Sequence, residues 1–191
     1  MQQYNISKGS SFYALGLSYK KADADIRGHF SLDEKAKLNL LKQAKENGIE
    51  SLIVTSTCNR TEIYGFAQHP FQLIHLLCEN TKGTVEEFQE VAYIYKNKDA
   101  ISHLFRVGSG LDSQILGDFE IIGQIKKSAV NSKKMNLLNP FLERLVNAVI
   151  QASKRIKTET EISSGATSVS FASVQYIFNT IYVCYGARWF F

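Results

Sequence analysis

The chain has 191 residues, of which 45% are hydrophobic and 21% charged, with a formal net charge of +4. That is room for one well-buried domain with an appendage, in a composition ordinary for a globular protein. It excludes a protein that crosses a membrane on helices, since no apolar run approaches ~20 residues, and the mild charge is not that of a dedicated nucleic-acid binder.

In chain order, residues 12–18 (Phe-Tyr-Ala-Leu-Gly-Leu-Ser) predict a strand. Ser31 is placed to cap a helix, with Glu34 completing a capping box. Leu32, Ala36, Leu40, Leu41 and Ala44 then recur at helical spacing, and Gly48 supplies the stop. Residues 52–55 are a short apolar strand, and residues 62–67 alternate polar and apolar as a third. Residues 71–80 are apolar and of helical length behind Pro70, and residues 91–95 read as a fourth strand. Strand, helix, strand, strand, helix, strand is the order of the split βαβ, ferredoxin-like α+β plan, with both helices on one face of an antiparallel sheet.

A helical extension follows. Residues 101–107 form a short helix, and Gly108, Gly110 and Gly117 then require sharp bends. Helical spacing resumes over residues 121–135. It resumes again from Pro140, with Phe141, Leu145, Ala148, Val149, Ala152 and Ile156 on one stripe. Residues 163–170 are small and polar, as at a domain boundary.

The chemistry concentrates at Thr55-Ser56-Thr57-Cys58-Asn59-Arg60-Thr61-Glu62. Cys58 sits where a strand ends and the chain turns. A neighbouring guanidinium favours the thiolate, which is the nucleophilic form. Arg60 also has the geometry to grip a substrate carboxylate bidentately, or else to pair with Glu62 at the surface. Against this stands the commoner use of cysteine as a small buried hydrophobe. Cys78, among Leu73, Ile74, Leu76 and Leu77, takes that reading. Three widely spaced cysteines make neither a disulfide framework nor a zinc site. The N-terminus lacks the regions of a signal peptide, so the expected address is the cytoplasm. Lys126-Lys127, Lys133-Lys134 and Lys154-Arg155 with Lys157 are basic clusters able to touch an RNA backbone, or simply solvated helix faces.

The Thr57–Glu62 segment is followed by His103-Leu104-Phe105-Arg106-Val107-Gly108-Ser109-Gly110-Leu111-Asp112-Ser113. Beyond it comes Gly117-Asp118-Phe119-Glu120-Ile121-Ile122-Gly123-Gln124-Ile125-Lys126. Together, in this order, these segments resemble the catalytic domain of the glutamyl-tRNA reductase family, over about residues 12–178. The resemblance implies NADPH-dependent reduction of glutamyl-tRNA to glutamate-1-semialdehyde through a Cys58 thioester, the first committed step of one tetrapyrrole (porphyrin and haem) route. It implies catalytic roles for Cys58 and His103, the latter in proton transfer. It implies substrate contacts at Thr57, Asn59, Arg60, Ser113, Asp118, Phe119, Glu120 and Gln124. Where this chain has Asp118-Phe119-Glu120, the commoner family version reads Glu-Pro-Gln.

The resemblance also divides the chain into a catalytic domain over residues 1–160, the first helix of a nucleotide-binding domain over residues 161–180, and an aromatic tail over residues 181–191. The tail departs from the family pattern, as in a truncated or frame-shifted product. The glycine-rich turn of a dinucleotide site is missing from the chain. The family's NADPH is therefore expected to bind outside it, and hydride transfer is expected to be lost. Glutamyl-tRNA is the implied partner, and the family homodimer is expected to form through a region beyond this chain. The alternative is a non-catalytic tRNA-binding fragment.

Overall fold

A computed structural model describes residues 9–160 and 162. Four strands, β1 (Ser11–Ser18), β2 (Leu52–Ser56), β3 (Arg60–Ala67) and β4 (Tyr93–Lys96), form one sheet in the order β2-β3-β1-β4. Every neighbouring pair is antiparallel, with Leu15 opposite both Ile63 and Ile94 and with Val54 opposite Ile63. Between β1 and β2 lie α1 (Ala24–His29) and α2 (Glu34–Glu46), and between β3 and β4 lie α3 (Pro70–Cys78) and α4 (Val85–Val91). This is the expected ferredoxin-like order. After the sheet come α5 (Lys98–Gly108), α6 (Glu120–Lys134) and α7 (Pro140–Glu159).

The sheet separates two cores. Side chains alternate across a strand, so β1 sends Tyr13, Leu15 and Leu17 to the face covered by α2, α3 and α4. It sends Phe12 and Ala14 to the face covered by α5, α6 and α7. β3 divides likewise, with Ile63 on the first face and Tyr64 and Phe66 on the second. All eight residues of β3 are buried in consequence. Its alternation is therefore chemical only, and Glu62 faces into the protein instead of into solvent.

Several local expectations are corrected. Asp33, not Ser31, caps α2 by accepting from the Ala36 amide, while the Ser31 hydroxyl donates to the Gly28 carbonyl at the end of α1. Leu32 is buried ahead of the helix, its amide donating to Ser56 Oγ. Helices α1 and α4 escape the periodicity reading because they are one or two turns long, and α1 buries no residue. Val91 ends α4, and the fourth strand starts at Tyr93. Gly48 does follow α2 with φ +73°, where a side chain would be strained. The expected boundary at residues 163–170, the nucleotide-domain helix and the aromatic tail lie outside the described residues.

Candidate active site

β2 and β3 are joined by the short turn Thr57-Cys58-Asn59. The Thr57 amide donates to the Arg60 carbonyl at 2.8 Å, and Thr57 Oγ1 accepts from the amides of Asn59 and Arg60 at 3.3 Å each. A threonine hydroxyl closing its own turn in this way is a local ST motif. The turn is also held from outside. The Tyr19 amide donates to the Asn59 carbonyl at 2.9 Å, and Arg27 Nε donates to the Cys58 carbonyl at 3.0 Å. Cys58 is left exposed at the tip of a fixed turn.

The turn forms one wall of a cavity of about 300 Å³. Ser56, Thr57, Cys58, Asn59 and Arg60 face Ser113, Gln114 and Asp118 of the loop before α6, and Glu120, Ile121 and Gln124 of α6 itself. The loop reaches this position through two left-handed glycines, Gly110 (φ +73°) and Gly117 (φ +81°), joined by a bond from the Gly117 amide to the Gly110 carbonyl. A Cβ on Gly110 would meet the Asp118 carbonyl oxygen at 2.9 Å. The fold thus brings Cys58, Thr57, Asn59, Arg60, Ser113, Asp118, Glu120 and Gln124 together from three separate segments.

Two expected members are elsewhere. Phe119 does not line the cavity; its ring lies under the Lys157 ammonium, 5.7 Å from ring centre to Nζ. Asp118 Oδ1 accepts from the Glu120 amide at 2.9 Å, so Asp118 satisfies the first turn of α6. His103 faces the sheet from α5 with Ala100, Leu104 and Val107, at helical spacing. Its Nε2 lies 2.7 Å from Glu62 Oε1. It borders a second cavity of about 260 Å³ with Lys20, Tyr95, Ser102 and Arg106, not the one holding Cys58.

Behind the Cys58 cavity is a buried charge cluster that residue spacing does not reveal. Glu62, 1% exposed, accepts from Arg60 Nη1 at 3.0 Å and from Tyr64 Oη at 2.8 Å, and it is also bonded by Tyr93 Oη. Burial pushes its carboxyl up. The Arg60 charge, then His103 and Tyr93, outweigh that and bring it down to about 2. Burial and the neighbouring Glu62 carboxylate raise both tyrosine hydroxyls well above the usual value.

Arg60, 3% exposed, also bonds the Asp112 carbonyl oxygen and lies 3.4 Å from Asp112 Oδ2. Asp112 in turn bonds Lys20. The guanidinium is thus committed to Glu62 and Asp112. The ion pair with Glu62 expected at the surface is a buried one. Room for Glu62 comes from Gly16 on β1, where a Cβ would meet the Thr61 carbonyl oxygen at 2.2 Å. The residues that sequence reasoning missed are Arg27, Asp112 and Lys20, which reach the site through contacts remote in the chain, to Cys58, to Arg60 and to Asp112 respectively.

Among the described residues no group of His, Cys, Asp and Glu is placed to hold a metal ion. No described helix is long and apolar enough to cross a membrane.

The family model described as "Glutamyl-tRNAGlu reductase, N-terminal domain" matches residues 15–160. The glutamyl-tRNA reductase of Christiangramia forsetii is 75% identical over 181 residues, covering 95% of this chain and 43% of that protein. The Flavobacterium psychrophilum glutamyl-tRNA reductase is 74% identical, with 95% and 44% covered. An Acinetobacter baumannii glutamyl-tRNA reductase is 36% identical over 86% of this chain. The structure of the glutamyl-tRNA reductase from Methanopyrus kandleri superposes with a TM-score of 0.69 at 25% identity, covering 86% of this chain and 39% of that one. The chain spans less than half the length of these relatives.

Proposed function

Since the chain belongs to the glutamyl-tRNA reductase N-terminal domain family, which implies tetrapyrrole biosynthesis, we propose that it carries the acyl-accepting half of that reaction. The Cys58 thiolate attacks the ester carbonyl that joins glutamate to the terminal ribose of tRNA. A carbon–sulfur bond forms, the carbon–oxygen bond breaks, and the ribose hydroxyl leaves with a proton, so the glutamyl group remains as a thioester. The observation that carries this reading is the exposed Cys58 on a rigid turn, opening on a polar cavity of about 300 Å³. Thr57, Asn59, Ser113 and Gln124 supply the hydrogen-bonding groups around the glutamyl moiety. Arg60 and His103 act at one remove, through Glu62 and Asp112, by holding the wall behind it.

NADPH would supply the hydride that converts the thioester to glutamate-1-semialdehyde and frees the thiol. The described residues do not fit that cofactor. Their sheet is antiparallel throughout, and no strand leads through a glycine-rich turn into a helix. The cofactor would bind in a nucleotide-binding domain after residue 160. The family's homodimer and a cytoplasmic setting belong to the same proposal.

The test is single-turnover incubation of the chain with glutamyl-tRNA in the absence of NADPH, followed by intact-protein mass. A glutamyl adduct that disappears in Cys58→Ala is the expected result. A folded protein that binds tRNA without forming an adduct would replace this reading with that of a binding fragment. The exposure of Cys58 favours the enzyme.

A further inference from the structure

Resting on the proposal that glutamyl-tRNA is the substrate, we infer that the RNA backbone leaves the Cys58 cavity along one face of α6, held by Lys127 and Lys134. Glu120, Gln124, Lys127, Asn131 and Lys134 are spaced by four, three, four and three residues. At 3.6 residues per turn they occupy roughly 80° of the helix circumference. Gln124 lines the cavity, so the stripe begins at the site and runs away from it. Lys127 and Lys134 are exposed, and Asn131 between them is half-buried. From Gln124 to Lys134 the helix rises about 15 Å, or roughly four nucleotide steps at ~3.4 Å each along one strand. Charge falls in the required order, with the acid Glu120 at the cavity and the lysines beyond it.

The neighbouring edge of α2 adds to this field. Lys127 Nζ is 3.0 Å from Glu34 Oε2, and Lys37 Nζ is 3.2 Å from Glu34 Oε1 and 3.3 Å from the Ser56 carbonyl oxygen. One carboxylate between two lysines leaves a net positive charge beside Ser56, itself part of the cavity wall. The Lys127–Glu34 pair is more than half exposed on both sides, and such pairs are held so weakly that a phosphate can share the ammonium.

The other lysines of the helix are separated from this face. Lys126 and Lys133 border an apolar groove with Val130, Val146 and Ile150 against α7, and Lys133 is bonded to Glu143. The two double-lysine clusters, equivalent in sequence, are thus each split by the helix into one lysine on the track and one off it.

Three paired variants test this: Lys127→Gln with Lys134→Gln, Lys127→Arg with Lys134→Arg, and Lys126→Gln with Lys133→Gln. Direct binding of uncharged tRNA is titrated against salt. Acylation of Cys58 is then followed from glutamyl-tRNA and from a small glutamyl aryl ester without RNA. The first pair should bind tRNA about tenfold more weakly at low salt, with a salt slope shallower by about 1.4 to 1.8 for two lost phosphate contacts. The arginine pair and the Lys126/Lys133 pair should match wild type, and the small ester should acylate all proteins equally. Unchanged binding and slope in the first pair, or an equal loss in the Lys126/Lys133 pair, would overturn the track. Absence of any adduct in wild type would count against acyl transfer alone, because the binding titration still decides the track.

Discussion

Cys58 and Cys78 differ in exposure, which governs access to a thiol. Cys58 is exposed on a turn tip, whereas Cys78 is half-buried as the last residue of α3. Burial, then the charges of Glu86, Glu79 and Glu87, push the Cys78 thiol up to about 11. Iodoacetamide at pH 7 should therefore label Cys58 at least about tenfold faster than Cys78, as read by peptide mapping. Equal rates would deny the turn its accessibility. Glu62 is the second decisive residue. Its folded-state carboxyl lies near 2 against an ordinary 4.5, so the unfolded chain binds the proton more readily. The stability it contributes is complete above pH 4.5 and is lost as pH falls from there towards 2. Glu62→Gln should cost about 3 kcal/mol at pH 7 in urea denaturation, since it removes one of the two carboxylates that balance the buried Arg60 charge. It should also flatten the acid limb of the stability curve; an unaltered limb would show that another group carries it.

At the scale of elements, close backbone approach sets what each strand and helix tolerates. On β1, a Cβ at Gly16 would stand 2.8 Å from both Cα and Cγ of Glu62. Gly16→Ala should thus destabilise by about 2 kcal/mol or more through overpacking, and should disturb the charge cluster with it. Gly123 on α6 has nothing within 4 Å of its hypothetical Cβ. Gly123→Ala should therefore stabilise by about 0.5 to 1 kcal/mol. Thermal melts of the two variants should move in opposite directions, and a shift of the same sign would contradict the packing. The same scale separates readable elements from unreadable ones. Helices α2, α3, α6 and α7 each bury a stripe long enough to show in the pattern. α1 and α4 do not, and the cap at Asp33 lies two residues from the serine that resembles one.

For the molecule as a whole, the single sheet couples two cores that would otherwise be independent. Leu40 belongs to the core beneath α2, α3 and α4, and Leu142 to the core beneath α5, α6 and α7; both are fully buried. Leu40→Ala and Leu142→Ala should each cost about 2 to 5 kcal/mol. Because β1 and β3 contribute side chains to both faces, each variant should still unfold in one transition, with far-UV and near-UV circular dichroism coincident. Two separated transitions would mean that the helical extension folds apart from the sheet. That extension also carries half of the Cys58 cavity on α6 and the loop before it, so the Cys58 turn and its opposite wall are assembled only when both cores form.

The residues by themselves determined the order of the strands and of the longer helices, the ferredoxin-like plan, and the identity of the turn that bears Cys58. These depend on local spacing, on an apolar run ending at a turn, and on motifs legible in one dimension. Eight of the ten residues expected at the site do meet in one cavity. Only the tertiary structure decided the rest. It turned Arg60 inward to Glu62 and Asp112, took His103 and Phe119 out of the cavity, and recruited Arg27 to the Cys58 turn. The physical reason is that a side chain's partners depend on which face of its element is covered and by what. Helices on both sides of the sheet bury Glu62, and a buried carboxylate gathers every donor within reach, however far apart those donors lie in the chain.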